Sequence, residues 1–197
     1  MGRSCSTAML CAMLSCTGSV HGQTAANETP TNLVVTVLGN PAPSIGEKVA
    51  WHIASECPCS AVFDARTNSL LRTVESQVDA LAQDHAWVLG LIDSPTGKSA
   101  FRGGLFRKRG VALLDMNSLK DTAAGGSDSS DLLESRVLKE SMRSFGFLLG
   151  LKDCPWPRCC MFPAPNEKDL DAKGRDFCPP CQVKVDRILS GEAKAQR

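Results

Sequence analysis

The sequence predicts an α/β domain, and three features carry that prediction. Short β-branched or leucine-rich runs recur along the chain, at Leu33 to Leu38, Cys59 to Asp64, Trp87 to Ile92 and Gly110 to Asp115. Between them lie stretches whose apolar residues return every three or four positions, the spacing of one helical face. Glycine, proline and asparagine punctuate the junctions, as expected where strands and helices alternate.

The first twenty-odd residues stand apart. Arg3 gives a positive end, Thr7 to Leu14 (TAMLCAML) is a short apolar run, and Val20 and Gly22 precede a mature start at Gln23. This is the pattern of a signal peptide over 1–22, and it implies a secreted or periplasmic protein. The run is too short for a membrane span, which takes about twenty apolar residues. Leu14-Ser15-Cys16 offers a lipid anchor, and a cytoplasmic N-terminus is the alternative. Residues 23–31 read as a flexible segment and 191–197 as a polar tail.

The folded elements follow from Asn32. LVVTVL is a buried strand stopped by Gly39, Asn40 and Pro41, and a helix follows over Ile45 to Ser55. CSAVFD is a second strand, and Leu71, Val74, Val78 and Leu81 stripe a helix over Leu70 to Asp84. WVLGLI is a third strand, Phe101 to Phe106 an edge strand and GVALLD another strand. Ala123 to Ser130 is a surface loop ending in an N-cap. A helix then runs from Ser130 to Leu149 and is closed by Gly150. Its apolar face carries Leu133, Val137, Met142, Phe145 and Leu149, and its polar face Glu134, Arg136, Lys139, Glu140 and Arg143.

Composition confines function to a local site. Twenty-two basic against 21 acidic residues leave a net charge of +1 in 197 residues, which gives no field for nucleic acid or anionic membrane. Gly97-Lys98-Ser99 lacks the earlier glycines of a phosphate loop. Arg102, Arg107, Lys108 and Arg109 read as a solvated hairpin edge. The three histidines, His21, His52 and His85, read as surface or half-buried polar groups.

Cysteines are the strongest chemical signal. Of ten, Cys5, Cys11 and Cys16 belong to the leader, which leaves seven, an odd number that disulfides within one chain cannot exhaust. Cys57 and Cys59 form a Cys-Pro-Cys pair. Cys154, Cys159, Cys178 and Cys181 have the spacing C-x4-C-x18-C-x2-C, with Cys160 an ambiguous fifth thiol. Four soft thiolates suit a closed tetrahedral zinc site that staples the tail to the domain. Disulfides and isolated thiols are the alternatives.

Several segments together resemble the archaemetzincins, zinc metallopeptidases of the metzincin clan. They are Lys139-Glu140, Gly150-Leu151 before Cys154, Cys159-Cys160-Met161, Leu170-Asp171-Ala172-Lys173 and Phe177-Cys178-Pro179-Pro180-Cys181. Gly90-Leu91-Ile92-Asp93 and Phe101 to Leu119 are similar to the family's sheet segments. The resemblance implies a single metzincin-like domain over 32–190, a twisted mixed sheet packed on helices with a cysteine-rich C-terminal subdomain whose zinc staple spans 154–181. It implies a structural zinc ion on the four cysteines and places Met161 as the methionine beneath the catalytic metal.

The catalytic run HExxHxxGxxH is degenerate here. Its histidines fall on Arg143, Phe147 and Asp153 and its glutamate on Ser144, with only Gly150 retained. A guanidinium and a phenyl ring cannot ligate a cation, and serine at its free pKa is a poor general base. A catalytic zinc ion is therefore not expected. Arg143 and Asp153 are expected either to form an ion pair at the vacated position or to face solvent and cap a turn separately.

Three functions follow. The first is a noncatalytic zinc-binding protein with a peptide- or protein-binding cleft; the second is a metallopeptidase using an unrecognised site. The third is a disulfide-stabilised extracytoplasmic structural domain.

Overall fold

The computed structural model describes residues 32–39, 42–68, 73–82, 87–93, 103–120 and 130–193. The expected signal peptide, His21, His85, the Gly97-Lys98-Ser99 segment, Arg102, loop residues 123–129 and residues 194–197 lie outside the described residues.

The chain builds strands β1 (Asn32–Gly39), β2 (Ser60–Asn68), β3 (Trp87–Asp93), β4 (Gly103–Phe106) and β5 (Val111–Asp115). Its helices are α1 (Pro43–Glu56), α2 (Val74–Leu81), α3 (Ser130–Leu148), α4 (Glu167–Ala172) and α5 (Pro179–Leu189). The strands form one mixed five-stranded sheet in the order β2-β1-β3-β5-β4, with only β4 antiparallel.

Topology explains the layers. The chain leaves β1 through α1 to β2 on one side, then returns through α2 to β3 on the other. Right-handed crossovers in opposite directions put α1 and α2 on opposite faces of the sheet. The alternation within each strand agrees. Leu33, Val35, Val37, Leu89, Leu91, Ala112 and Leu114 pack with α1 and α3, while Leu38, Val88, Ile92, Val111 and Leu113 pack with Val78 and Leu81 of α2. Burial on both faces is why these strands read as near-continuous apolar runs. Trp87 meets Phe145 of α3 edge to face at 6.1 Å, worth about 1 kcal/mol beyond the area buried.

The expected strands and helices are present with ends shifted by a few residues. α4 and α5 were not anticipated, because their short stripes are interrupted by prolines and cysteines. α3 departs further from its sequence pattern. Arg136 and Lys139, assigned to the polar face, are 1 % and 8 % exposed. The tail folds back over that face and supplies acceptors. Arg136 donates Nε and Nη2 to the two carboxylate oxygens of Asp171, each at 2.7 Å, and Nη1 to the Leu119 carbonyl at 2.8 Å. Lys139 Nζ donates to the carbonyls of Leu170 and Asp171 at 3.1 and 2.6 Å. Such a helix shows no clean amphipathic stripe because its buried cations are satisfied by partners far along the chain.

Candidate metal centre and adjoining cleft

The end of α3 sets the geometry of both regions that carry chemistry. Gly150 has φ +93°, the left-handed conformation that glycine adopts without a Cβ penalty. The Leu151 N–H donates to the Gly146 carbonyl at 2.9 Å and the Gly150 N–H to the Phe147 carbonyl at 3.0 Å, a Schellman stop. The chain then reverses, carrying Asp153 back toward α3 and Cys154 into the tail.

In the tail, Cys154, Cys159, Cys178 and Cys181 bring their sulfurs within 4.8 Å of one another. The Sγ atoms of Cys154 and Cys178 are 3.7 Å apart. Tetrahedral zinc with bonds of about 2.3 Å separates its ligands by about 3.8 Å, whereas a disulfide needs about 2 Å. The four thiols therefore fit a zinc ion, and all seven described cysteines are free. Local structure prepares the cluster. Pro179 and Pro180 start α5 immediately after Cys178, the Cys181 N–H returns to the Cys178 carbonyl at 2.8 Å, and the Cys178 N–H points at Cys159 Sγ at 3.4 Å. Burial disfavours the Cys178 thiolate, but the Cys181 N–H and the surrounding thiols outweigh it and lower its pKa. A closed set of four thiolates leaves no position for a substrate, so the site is structural.

Cys160, the ambiguous fifth thiol, is not among the four whose sulfurs converge. It is fully buried beside the cluster, and burial pushes its thiol far above the ordinary range. Cys57 and Cys59 are likewise raised by burial, to about 12 and about 11, and are thiols at neutral pH.

The tail is bound to α3 by more than metal. Lys173, 3 % exposed, donates to Glu140 and, at 3.1 Å, to the Cys160 carbonyl. The Cys154 N–H donates to the Met161 carbonyl at 3.0 Å. Met161 is fully buried and presses on α3 at Gly146, where a Cβ would lie 2.5 Å from its sulfur. Gly146 is thus the close neighbour of Met161 on α3.

The degenerate catalytic positions converge as the family pattern demands, with different chemistry. Arg143 and Phe147 share one face of α3, and the guanidinium carbon lies 4.8 Å from the Phe147 ring centroid. Asp153 comes back across the glycine turn, and Arg143 Nη2 donates to it at 2.7 Å. Of the two expected arrangements, the ion pair is the one observed. A cation over a ring, closed by a carboxylate, replaces three imidazoles around an ion. None of Arg143, Ser144, Phe147 and Asp153 offers the imidazoles or general base that family hydrolysis requires.

Arg143, Ser144 and Phe147 floor a cleft of about 890 Å³. Gly103, Gly104 and Leu105 of β4 form one wall, and Ala164, Pro165 and Asn166 the other. β4 is an edge strand, paired only with β5 among the described residues. Arg107, placed by sequence in a solvated edge, is instead half-buried: its Nε donates to the Phe147 carbonyl at 3.0 Å, tying the β4–β5 turn to the C-terminal end of α3. Lys108 and Arg109 are exposed as expected.

His52 also differs from its reading as a surface or half-buried group. It is 4 % exposed on α1 and faces Asp176, with Glu56 one turn on. This second cluster holds a single imidazole and is built from α1 and the tail, so it does not restore the three-histidine set of α3. The i, i+4 spacing of His52 and Glu56 was visible in the sequence, but Asp176 was not connected to it.

Comparisons with known proteins agree with this geometry. The model of peptidase family M54 matches residues 104–187. Archaemetzincin of Pyrococcus furiosus is 35 % identical over 80 residues, 41 % of this chain and 42 % of that protein. Archaemetzincin of Sulfolobus acidocaldarius is 26 % identical over 159 residues, 78 % of this chain and 89 % of its own. The match to the first of these relatives spans less than half of that protein. The crystal structure of archaemetzincin from Methanopyrus kandleri superposes with a TM-score of 0.67 at 19 % identity, covering 84 % of this chain and 99 % of that one, a likeness of fold. Among the described residues no helix is long and apolar enough to cross a membrane.

Proposed function

We propose that the chain, which matches the model of peptidase family M54 over residues 104–187 and shares the archaemetzincin fold, is a noncatalytic archaemetzincin-like protein: a zinc-stapled domain that binds extended peptide without cleaving it. One observation carries the reading. The Arg143–Asp153 ion pair and the Phe147 ring fill the place where the family pattern calls for three imidazoles, while the four-cysteine cluster that begins at the next residue, Cys154, is complete. Cys154, Cys159, Cys178 and Cys181 hold zinc, and that ion supplies cross-linking only.

The peptide reading rests on the edge of β4 above the cleft, where β4 pairs only with β5 among the described residues. An extended peptide there adds main-chain hydrogen bonds to Gly103–Phe106, with its side chains over Leu105 and Phe147. An extracytoplasmic location rests on residues 1–22 alone, and N-terminal sequencing of the native protein tests it by looking for a start at Gln23.

The test combines turnover with binding. Zinc-loaded protein is incubated with a fluorescently labelled casein digest. The expected result is anisotropy that rises with protein, weakens when Gly104→Pro blocks the edge strand, and is accompanied by no hydrolysis. Hydrolysis abolished by a chelator would overturn the noncatalytic reading, and absence of binding would overturn the peptide cleft.

A further inference from the structure

The last turn of α1 and the loop before Cys178 meet at a polar cluster that the zinc staple does not use. His52 and Glu56 are four residues apart on one face of α1, and Asp176 approaches from the tail. One donor atom from each lies within 4.8 Å of the others. His52 is 4 % exposed, and its Nε2 stands 3.2 Å from Asp176 Oδ1. Both atoms are buried, and neither makes a hydrogen bond of acceptable geometry. Two buried polar atoms that face each other without satisfying each other call for a shared partner.

The backbone around them is pinned. The Cys160 N–H donates to the Asp176 carbonyl at 2.9 Å, and Gln182 Nε2 of α5 donates to the Glu56 carbonyl at 3.1 Å. Arg175 Nε lies 3.7 Å from Asp176 Oδ1 and is the cation that competes for it. Burial lowers the pKa of His52 against the pull of Asp176.

We propose that His52, Glu56 and Asp176 form a second divalent-metal site, which clamps α1 to the zinc-stapled tail. One imidazole and two carboxylates are a borderline nitrogen and oxygen set that suits zinc, cobalt or manganese, and they offer too few oxygens for calcium. Their two negative charges match a divalent ion. Ligand separations of about 3.4 Å are expected around a tetrahedral ion with bonds of about 2.1 Å. His52 and Asp176 already stand at 3.2 Å, and a donor atom of the exposed Glu56 lies within 4.8 Å of one from each. With three protein ligands, one of them exposed, this site binds more weakly than the four cysteines and keeps a solvent position.

The site is independent of α3, so its test does not depend on whether the protein hydrolyses peptides. Full-length protein carrying one tight zinc on the cysteines is titrated with Co²⁺ and followed by calorimetry and visible absorption. The expected result is one further equivalent with weak d–d bands and no new thiolate charge transfer. Asp176→Asn and Glu56→Gln should each weaken that equivalent at least tenfold while the tight zinc is retained, which reports an intact tail. Glu56→Gln is on the surface and decides the matter should Asp176→Asn lose the zinc. Absence of a second equivalent in the wild type would overturn the proposal. So would uptake unchanged in Glu56→Gln, or uptake accompanied by strong thiolate charge transfer, which marks exchange at the cysteines.

Discussion

Asp153 and Cys154 are neighbours in the chain and belong to regions with opposite histories of chemistry. Cys154 opens a complete set of metal ligands, whereas Asp153 closes a set in which every imidazole has been replaced. The four-cysteine tail packs Met161, Leu170 and Phe177 into the core, but the four sulfurs that meet at its centre have no other partner than an ion to hold them together. The floor of the cleft had a packing substitute: α3 already rests on the core through Phe145, Met142 and Leu148, so its exposed face tolerates a cation on a ring where an ion would sit. Two metal positions sharing one loop are thus separable, the first tied to folding and the second to chemistry alone.

The comparison breaks most sharply at the tail. Paired Cys178→Ser and Cys181→Ser should remove the tight zinc and undock the segment that covers Arg136 and Lys139. Loss of several kcal/mol should lower the melting temperature by about 10 °C or more. Elemental analysis with calorimetry checks it, and an unchanged melting temperature would show that α3 holds the tail without metal.

Next comes the ionic dock beneath that tail. Arg136→Ala leaves Asp171 and the Leu119 carbonyl without their donor at a nearly inaccessible position, and should cost about 3 kcal/mol in urea unfolding at fixed zinc. A loss below about 1 kcal/mol would mean that the zinc staple alone carries the tail.

The same pair makes a pH prediction. Hydrogen bonds from Arg136 hold the Asp171 carboxyl below its ordinary pKa, outweighing the opposing effect of burial. Its contribution is therefore present above a pH of about 4 and is lost as pH falls through the depressed folded value. The stability advantage of wild type over Asp171→Asn should hold at neutral pH and shrink below about pH 4. A constant difference would contradict the assignment.

The smallest effect is expected at the cleft. Arg143→Ala removes a cation–π contact and a half-exposed ion pair, together worth about 1 kcal/mol, and should leave zinc content unchanged. A loss comparable to that of the cysteine variant would show that the two regions are coupled after all.

Much of this was legible in the chain itself. Apolar runs gave the strands because a strand buried on both faces needs little else, and the cysteine spacing pointed to the staple, with disulfides as the alternative, because four soft thiolates suit one tetrahedral ion. Arg143, Ser144, Phe147 and Asp153 stand where the family motif has its imidazoles and glutamate, so their loss is written in the sequence. What the sequence could not show were contacts between distant segments. It read Arg136 and Lys139 as solvent-facing, since charge on a helix signals exposure until a remote carboxylate and two carbonyls satisfy it. It left Arg143 and Asp153 undecided, because only the Gly150 turn sets their separation. It treated His52 as an isolated polar group, because Asp176 lies more than a hundred residues further along the chain. Local pattern fixes which residues are buried in strands and which can bind metal; tertiary structure alone decides which charges meet, since their energies depend on distance and burial that no local window contains.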